Sequence, residues 1–167
     1  MPKSDQGITK DRYMLIPRTA IFARRSNGDE YLLIKGAPTK RLWAGKYNGI
    51  GGHLERGEDL LTSARRELLE ETGLTADLWL CGTVIVDAGE TGICLFVFCG
   101  EEAQGEIKAS EEGSVEWVER EAVLHLPVVE DLPILLDRIH RMRRGDPPFA
   151  ARSYYDEHDK LKVVFGD

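Results

Sequence analysis

The sequence predicts an α/β domain in which a mixed β-sheet carries helices on its faces. Three observations point there. The chain has 167 residues, enough for one domain at roughly 150 residues each, and 42% of them are hydrophobic. Strand-forming runs outnumber helical ones. The two helical patterns interrupt the strands irregularly, which suits a mixed sheet better than a strictly alternating parallel one. A domain of this size buries roughly 70% of the surface its unfolded chain exposes, so no disulfide framework is needed. Cys81, Cys94 and Cys99 lie in apolar runs without CxxC or His-paired spacing, and are expected to be reduced packing residues. One domain over residues 1–167 is expected, with 1–12 as a flexible leader.

After that leader, residues 13–24 (YMLIPRTAIFAR) and 31–35 (YLLIK) are rich in strand formers and flank the turn sequence Ser26-Asn27-Gly28-Asp29. A β-hairpin follows from this arrangement. Residues 36–56 are glycine-rich, with a short strand expected at 47–50. From Asp59 the period becomes helical: Leu61, Ala64 and Leu68 share a face, Glu58 and Asp59 suit the positive dipole end, and Gly73 suits the C-terminal cap, giving a helix over 60–72. Strands are expected at 78–87, 91–98 and 114–118. A second helix over 130–144 places Leu132, Leu135, Leu136 and Ile139 on one side, has Pro133 in its first turn and ends in arginines before Gly145. Tyr154-Tyr155 and residues 161–165 suggest a terminal hairpin.

Charge narrows the function. The 22 Lys and Arg against 29 Asp and Glu give a net charge of -7, the wrong sign for a protein that grips nucleic-acid phosphates by counterion release. A polymeric nucleic-acid partner is therefore not expected. No run approaches the roughly 18 apolar residues of a membrane span, and the charged start lacks a following apolar stretch. A cytoplasmic location without membrane contact is expected. Oligomeric state, monomer or homodimer, is not legible. His125, His140 and His158 have no ligand-like spacing and are expected at the surface.

On the first helix Glu67, Glu70 and Glu71 stand at i, i+3 and i+4, so their carboxylates share one face beside the Leu61, Ala64 and Leu68 stripe. Clustered carboxylates need raised pKa values or a bound cation, and hard oxygen donors suit Mg²⁺ or Mn²⁺. Spacing alone leaves a solvated acidic helix face as the alternative. The wider pattern is more specific: Gly52, five residues, Glu58, seven residues, then Arg66-Glu67-Leu68-x-Glu70-Glu71-x-Gly73-Leu74. With each fixed position met at roughly 1 in 15 by composition, a chance match is on the order of one in ten million.

This pattern resembles the signature of the Nudix hydrolases. The resemblance implies a Nudix-type α/β/α sandwich and Mg²⁺-dependent, or Mn²⁺-dependent, hydrolysis of a phosphoanhydride in a nucleoside diphosphate linked to a further group. It implies metal held by Glu70, Glu71 and the backbone carbonyl of Gly51, with Glu67 as a ligand or the base that deprotonates the attacking water. Glu58 and Arg66 would brace the loop on the helix, with Gly52 and Gly73 structural, and Glu112 is the best candidate for a ligand outside the signature. Metal would offset the charge that repels an incoming water from a polyphosphate. Lys35, Arg41 and Lys46 are nearby cations.

The preceding stretch, Trp43-Ala44-Gly45-Lys46-Tyr47-Asn48-Gly49-Ile50-Gly51-Gly52, is similar to the segment of Nudix enzymes that sanitise oxidised purine nucleoside triphosphates. It makes Asn48, Tyr47, Trp43 and Lys46 substrate-binding candidates, Asn48 through a side-chain amide able to read a purine edge; a turn-forming role for Asn48 is the alternative. The aspartate pair that reads the base in that branch falls on Pro127 and Val128, with Glu130 and Asp131 nearby, and His53 replaces the usual lysine. The expected reaction converts a nucleoside triphosphate, such as 8-oxo-dGTP, to nucleoside monophosphate and pyrophosphate. ADP-ribose, nucleotide sugars or dinucleoside polyphosphates are the alternative substrates, and a non-catalytic nucleotide sensor is a third reading.

Overall fold

Strand β1 (Met14–Arg25) sets the architecture, because both of its faces are apolar. Ala20 and Phe22 point into one core and Ile21 and Ala23 into another, as the two-residue period of a strand requires. A strand buried on both faces must sit between two layers, and each layer here contains a helix. Helix α1 (Leu60–Thr72) covers one face with Ala64 and Leu68. Helix α2 (Leu132–His140) covers the other with Leu132, Leu135, Leu136 and Ile139. The computed structural model describes residues 2, 6–9, 11–25, 28–108 and 110–166.

The remaining strands are β2 (Glu30–Gly36), β3 (Tyr47–Asn48), β4 (Leu74–Val86), β5 (Thr91–Gly105), β6 (Gly113–Glu119), β7 (Phe149–Tyr155) and β8 (Leu161–Gly166). Their order is β3-β2-β1-β5-β4-β7-β8, with β6 paired to β2. The sheet is mixed: β1 runs parallel to β5 and β4 parallel to β7, whereas β4 and β5 are antiparallel. A short 3₁₀ turn, Ala122–His125, links β6 toward α2. Cys81 and Cys99 are free and buried, and Cys94 is free and half-buried.

Several expectations change in the folded chain. The β1–β2 hairpin pairs only at Arg24 with Tyr31 and Arg25 with Glu30, and Ser26 and Asn27 of its turn lie outside the described residues. The rest of that edge of β1 belongs to the glycine-rich loop, with Thr19 N–H donating to Gly52 O at 2.9 Å and Ile21 N–H to Ile50 O at 2.6 Å. Strand β5 continues past residue 98 through the polar Glu101 to Gln104, because β4 supplies partners that far. Helix α2 starts at Leu132 and stops at His140, where Met142 N–H bonds Ile139 O at 3.0 Å in a tighter turn. Strand β7 begins at Phe149 rather than Tyr154, since parallel pairing with β4 orders the weakly patterned Ala150-Ala151-Arg152-Ser153. His140 is half-buried, with Nδ1 3.1 Å from Gly28 O.

Leu136 is 1% exposed in the α2-side core, so Leu136→Ala is expected to cost about 2–5 kcal/mol by lost transfer energy and a residual cavity. Urea unfolding of both proteins measures this as a lower midpoint at unchanged slope.

Candidate functional site

Helix α1 is fixed at both ends before its side chains do anything else. Asp59 caps the first turn, accepting from Leu61 N–H and Thr62 N–H at 2.9 Å each. Gly73 ends the helix in the left-handed region at φ 76°, its N–H donating to Leu69 O. With Ala64 and Leu68 buried, the helix cannot rotate, and the Glu67, Glu70 and Glu71 stripe emerges at its margin. Burial grades along it: the Glu70 side chain is 60% exposed and that of Glu67 12%, while Glu71 is buried.

Arg66 ties this face to the preceding loop. Its guanidinium forks onto Glu58, with Nε to Oε1 at 2.6 Å and Nη2 to Oε2 at 2.9 Å. The same group reaches Glu67 at 2.8 Å, Glu70 at 3.2 Å and the carbonyl of His53 at 3.2 Å. Planar, permanently charged and carrying five donors, arginine suits this position as lysine would not. The hydrogen bonds from Arg66 hold the Glu58 carboxyl down to about 2. That carboxylate also accepts from Glu55 N–H at 3.1 Å, closing the loop on itself.

The two glycines before His53 let the loop lie against the helix. A Cβ on Gly52 would stand 2.5 Å from Glu67 Oε1, and one on Gly51, at φ 151°, would stand 2.1 Å from Thr19 O. Side chains are therefore excluded where the loop passes between β1 and the carboxylates. Gly51 N–H donates to Glu71 Oε2 at 3.3 Å. Burial pushes the Glu71 carboxyl up to about 7; the negative charges of Glu67 and Glu112 act the same way, against the Gly51 N–H and the Lys40 ammonium.

These groups form one wall of a cleft of about 770 Å³. Its floor is the sheet face bearing Ala20, Val86, Ile93, Leu95 and Leu161, and its far end carries Asn48, Val129, Glu130, Asp131, Ser153 and Tyr155. Strand β3 brings that far end in. Tyr47 N–H donates to Pro127 O at 2.8 Å and Val129 N–H to Tyr47 O at 3.0 Å, which draws the segment entering α2 alongside Asn48. Asn48 Oδ1 accepts from Gly49 N–H at 2.8 Å, so the turn-forming contact uses the carbonyl end of the amide. Burial raises the Asp131 carboxyl, and neighbouring Glu130 adds to this. Asp131 occupies the α2 cap position without a side-chain hydrogen bond to the helix.

Of the residues singled out by sequence, Asn48, Gly51, Gly52, Glu67, Glu70, Glu71, Arg66, Glu112 and Trp43 line the cleft. Glu58 stands behind Arg66, and Gly73 caps the helix. Tyr47 is buried in the α2-side core, with its hydroxyl on Glu116. Lys46 and Arg41 are exposed, and Lys35 lies 5.5 Å from the Tyr47 ring; none of the three lines the cleft among the described residues. Its basic side chains are Arg18, Lys40 and Arg66. Arg18, whose Nε lies 3.0 Å from His53 Nε2, and Lys40, paired with Glu112, were not marked by the sequence. Arg18 comes from a strand 34 residues before the signature glycine Gly52, and only the loop seated on β1 brings it in.

The donor set fits a hard divalent ion. Seven carboxylates face three basic side chains across the cleft. Among the described residues no three acidic, histidine or cysteine side chains converge on one point, since Arg66 and Lys40 engage several of them. Mg²⁺ keeps several waters and shares its coordination between carboxylates and substrate oxygens, so it does not require a closed protein cage.

Two stability measurements follow from these carboxyls. Glu58 is held at about 2 against an ordinary 4.5, so its contribution is present above pH 4.5 and lost as pH falls through 2. The Tm of Glu58→Gln should therefore fall less steeply than wild type between about pH 4.5 and pH 2. Glu71 has the opposite sign: raised from 4.5 to about 7, it costs stability as pH rises across that window. Without divalent ions at pH 8, Glu71→Gln is expected to raise Tm by several degrees, as read by calorimetry.

Comparison with known proteins gives this arrangement its place. The family model for the NUDIX domain matches residues 14–139. The chain is 38% identical over 88 residues to an oxidized purine nucleoside triphosphate hydrolase from Danio rerio, a match covering 51% of this chain and 56% of that protein. It thus spans little more than half the length of that relative. With the protein of the same description from Mus musculus it shares 28% identity over 113 residues, covering 64% of this chain and 72% of that one. The crystal structure of a MutT protein from Bacillus halodurans superimposes with a TM-score of 0.74 at 26% identity, covering 90% of this chain and 97% of that chain. With the model matched across both helices and the strands between them, the chain belongs to the NUDIX family.

Proposed function

We propose that this protein is a Mg²⁺-dependent pyrophosphohydrolase that converts a purine nucleoside triphosphate, with oxidised purines such as 8-oxo-dGTP foremost, to the monophosphate and pyrophosphate. Mn²⁺ would serve in place of Mg²⁺. The observation that carries this reading is the placement of Glu71: a carboxylate buried at the cleft wall, beside a glycine pair that lets the backbone close on it, in a cleft where acids outnumber bases. Such a cleft accepts a polyphosphate only with added positive charge.

In this reading Glu70, Glu71 and the Gly51 carbonyl hold the ion, with Glu67 and Glu112 contributing from either side. The ion, when bound, neutralises phosphate oxygens and favours ionisation of the attacking water. Arg66 keeps Glu67 and Glu70 oriented. Glu58 anchors Arg66. Water adds at the α-phosphorus and gives up its proton to a carboxylate of the α1 wall, the α–β anhydride bond breaks, and its electron pair leaves with pyrophosphate. Glu67, Glu70 and Glu71 are the catalytic carboxylates.

The far end of the cleft supplies recognition. An apolar floor of Ile93, Leu95 and Val86 suits a flat heterocycle, with a few polar groups beside it. With its oxygen engaged by Gly49, the Asn48 amide has its nitrogen left to donate to a base. Asp131, whose carboxyl burial pushes upward, adds a polar group beside Asn48, and Trp43 offers a stacking face. The homologues named oxidized purine nucleoside triphosphate hydrolase support this choice of substrate.

The deciding experiment is turnover of oxidised and normal dNTPs, ADP-ribose and diadenosine polyphosphates with Mg²⁺, with product analysis. Oxidised purine triphosphates giving pyrophosphate are expected to lead; ADP-ribose as the best substrate would overturn the reading. Glu70→Gln and Glu71→Gln should each lower kcat by at least about 10²-fold, as loss of a key electrostatic element does. Asp131→Asn should change the oxidised-over-normal kcat/KM ratio by roughly tenfold with little change in pyrophosphate release from the best substrate at saturation.

A further inference from the structure

The three basic side chains of the cleft are held in different ways. Arg66 is committed through several hydrogen bonds to Glu58, Glu67 and Glu70. The Arg18 side chain lies against His53. Lys40 reaches across from the loop between β2 and β3 to Glu112, on the loop between β5 and β6. These two loops are stitched by backbone: Ala37 N–H donates to Glu112 O at 3.0 Å and Lys40 N–H to Ala37 O at 3.0 Å. Glu112 N–H is fixed in turn by Ser110 Oγ at 3.2 Å. The backbone thus holds both side chains at the cleft whether or not they touch each other.

We propose that Lys40 is a displaceable counter-cation: it neutralises Glu112 in the metal-free protein, yields that carboxylate to the divalent ion, and then binds the non-bridging oxygens of the polyphosphate. This rests on the reading of Glu112 as a metal ligand. Three features support the exchange. The pair is 36% and 49% exposed, so water solvates both partners as they part, and such pairs are weak. Lysine is a single charge on a flexible stem, able to leave one oxygen for another, whereas Arg66 is locked by its fork. The Lys40 and Glu112 charges both act on the Glu71 carboxyl, with opposite signs, so the pair stands within electrostatic reach of the carboxylate wall on α1. Glu112 keeps a partner at each stage, Lys40 in the empty cleft and the ion once it binds. The ammonium that the ion releases then stands beside the place where phosphate arrives.

The exchange predicts opposite changes in two affinities, a pattern that a merely structural role for Lys40 would not produce. Mn²⁺ binding, followed by electron paramagnetic resonance without nucleotide, should be tighter in Lys40→Gln than in wild type, by about fivefold for loss of one nearby like charge. Binding of the α,β-methylene analogue of dGTP in saturating Mn²⁺ should be weaker in the same variant by at least about fivefold, and Lys40→Arg should restore both toward wild type. Mn²⁺ affinity that is unchanged or weaker in Lys40→Gln would overturn the competition, and unchanged analogue affinity would overturn the transfer to phosphate. If wild type binds Mn²⁺ normally, such results leave the proposed hydrolase standing. If wild type binds no Mn²⁺, the metal assignment falls and Lys40 with it.

Discussion

The guanidinium of Arg66 is the contact on which the site depends. Three carboxylates on one helical face repel one another, and the loop from His53 to Glu58 is mostly exposed, with little packing to keep it in place. Arg66 addresses both at once. It forks onto Glu58 in the loop, reaches Glu67 and Glu70 on the helix, and takes the His53 carbonyl between them. Loop and helix become one unit, and the acidic stripe is held together before any ion arrives. A lysine here would supply the charge but not the fork.

That unit is positioned by β1. Because the loop takes the β1 edge beyond Arg24, the glycine pair is trapped between a central strand and the carboxylates, and Glu71 is buried beneath it. The desolvation that raises Glu71 is thus a product of sheet topology rather than of local sequence. The cost of holding an acid there in the empty protein is the other side of a strong demand for positive charge.

The α1 half of the molecule was legible in the sequence. Residues 60–72 had a helical period, an Asp59 cap and a Gly73 stop, and the structure keeps those bounds; the spacing of Glu67, Glu70 and Glu71 placed them on one face. Patterning could not show which strands would be neighbours. Residues 13–24 and 31–35 read as a hairpin, yet β1 pairs with β5 over ten residues, from Met14 to Ala23, because long-range burial outweighs a short connection. Strand β7 was read two residues long, as its Ala150-Ala151-Arg152-Ser153 core gains order only from β4. The cleft's basic groups followed the same rule. Lys35, Arg41 and Lys46 were near the signature in sequence, whereas Arg18 and Lys40 are near it in space. At the far end, Glu130 and Asp131 reach the cleft because β3 captures residues 127–129, a pairing two residues long that no propensity would reveal.

The division of the interior by β1 also bears on how such a protein changes over time. The carboxylate helix rests on the core that contains Ile21, Leu68 and Phe98, while the β3 stitch and the start of α2 rest on the one that contains Phe22, Tyr47 and Leu132. Replacements beneath the β3 stitch therefore disturb a hydrophobic cluster separate from the one beneath the carboxylate helix. In the proposed division of the cleft, a lineage can retune which molecule it accepts while inheriting its bond-breaking apparatus intact, and the partition inside the sandwich is the physical basis of that freedom.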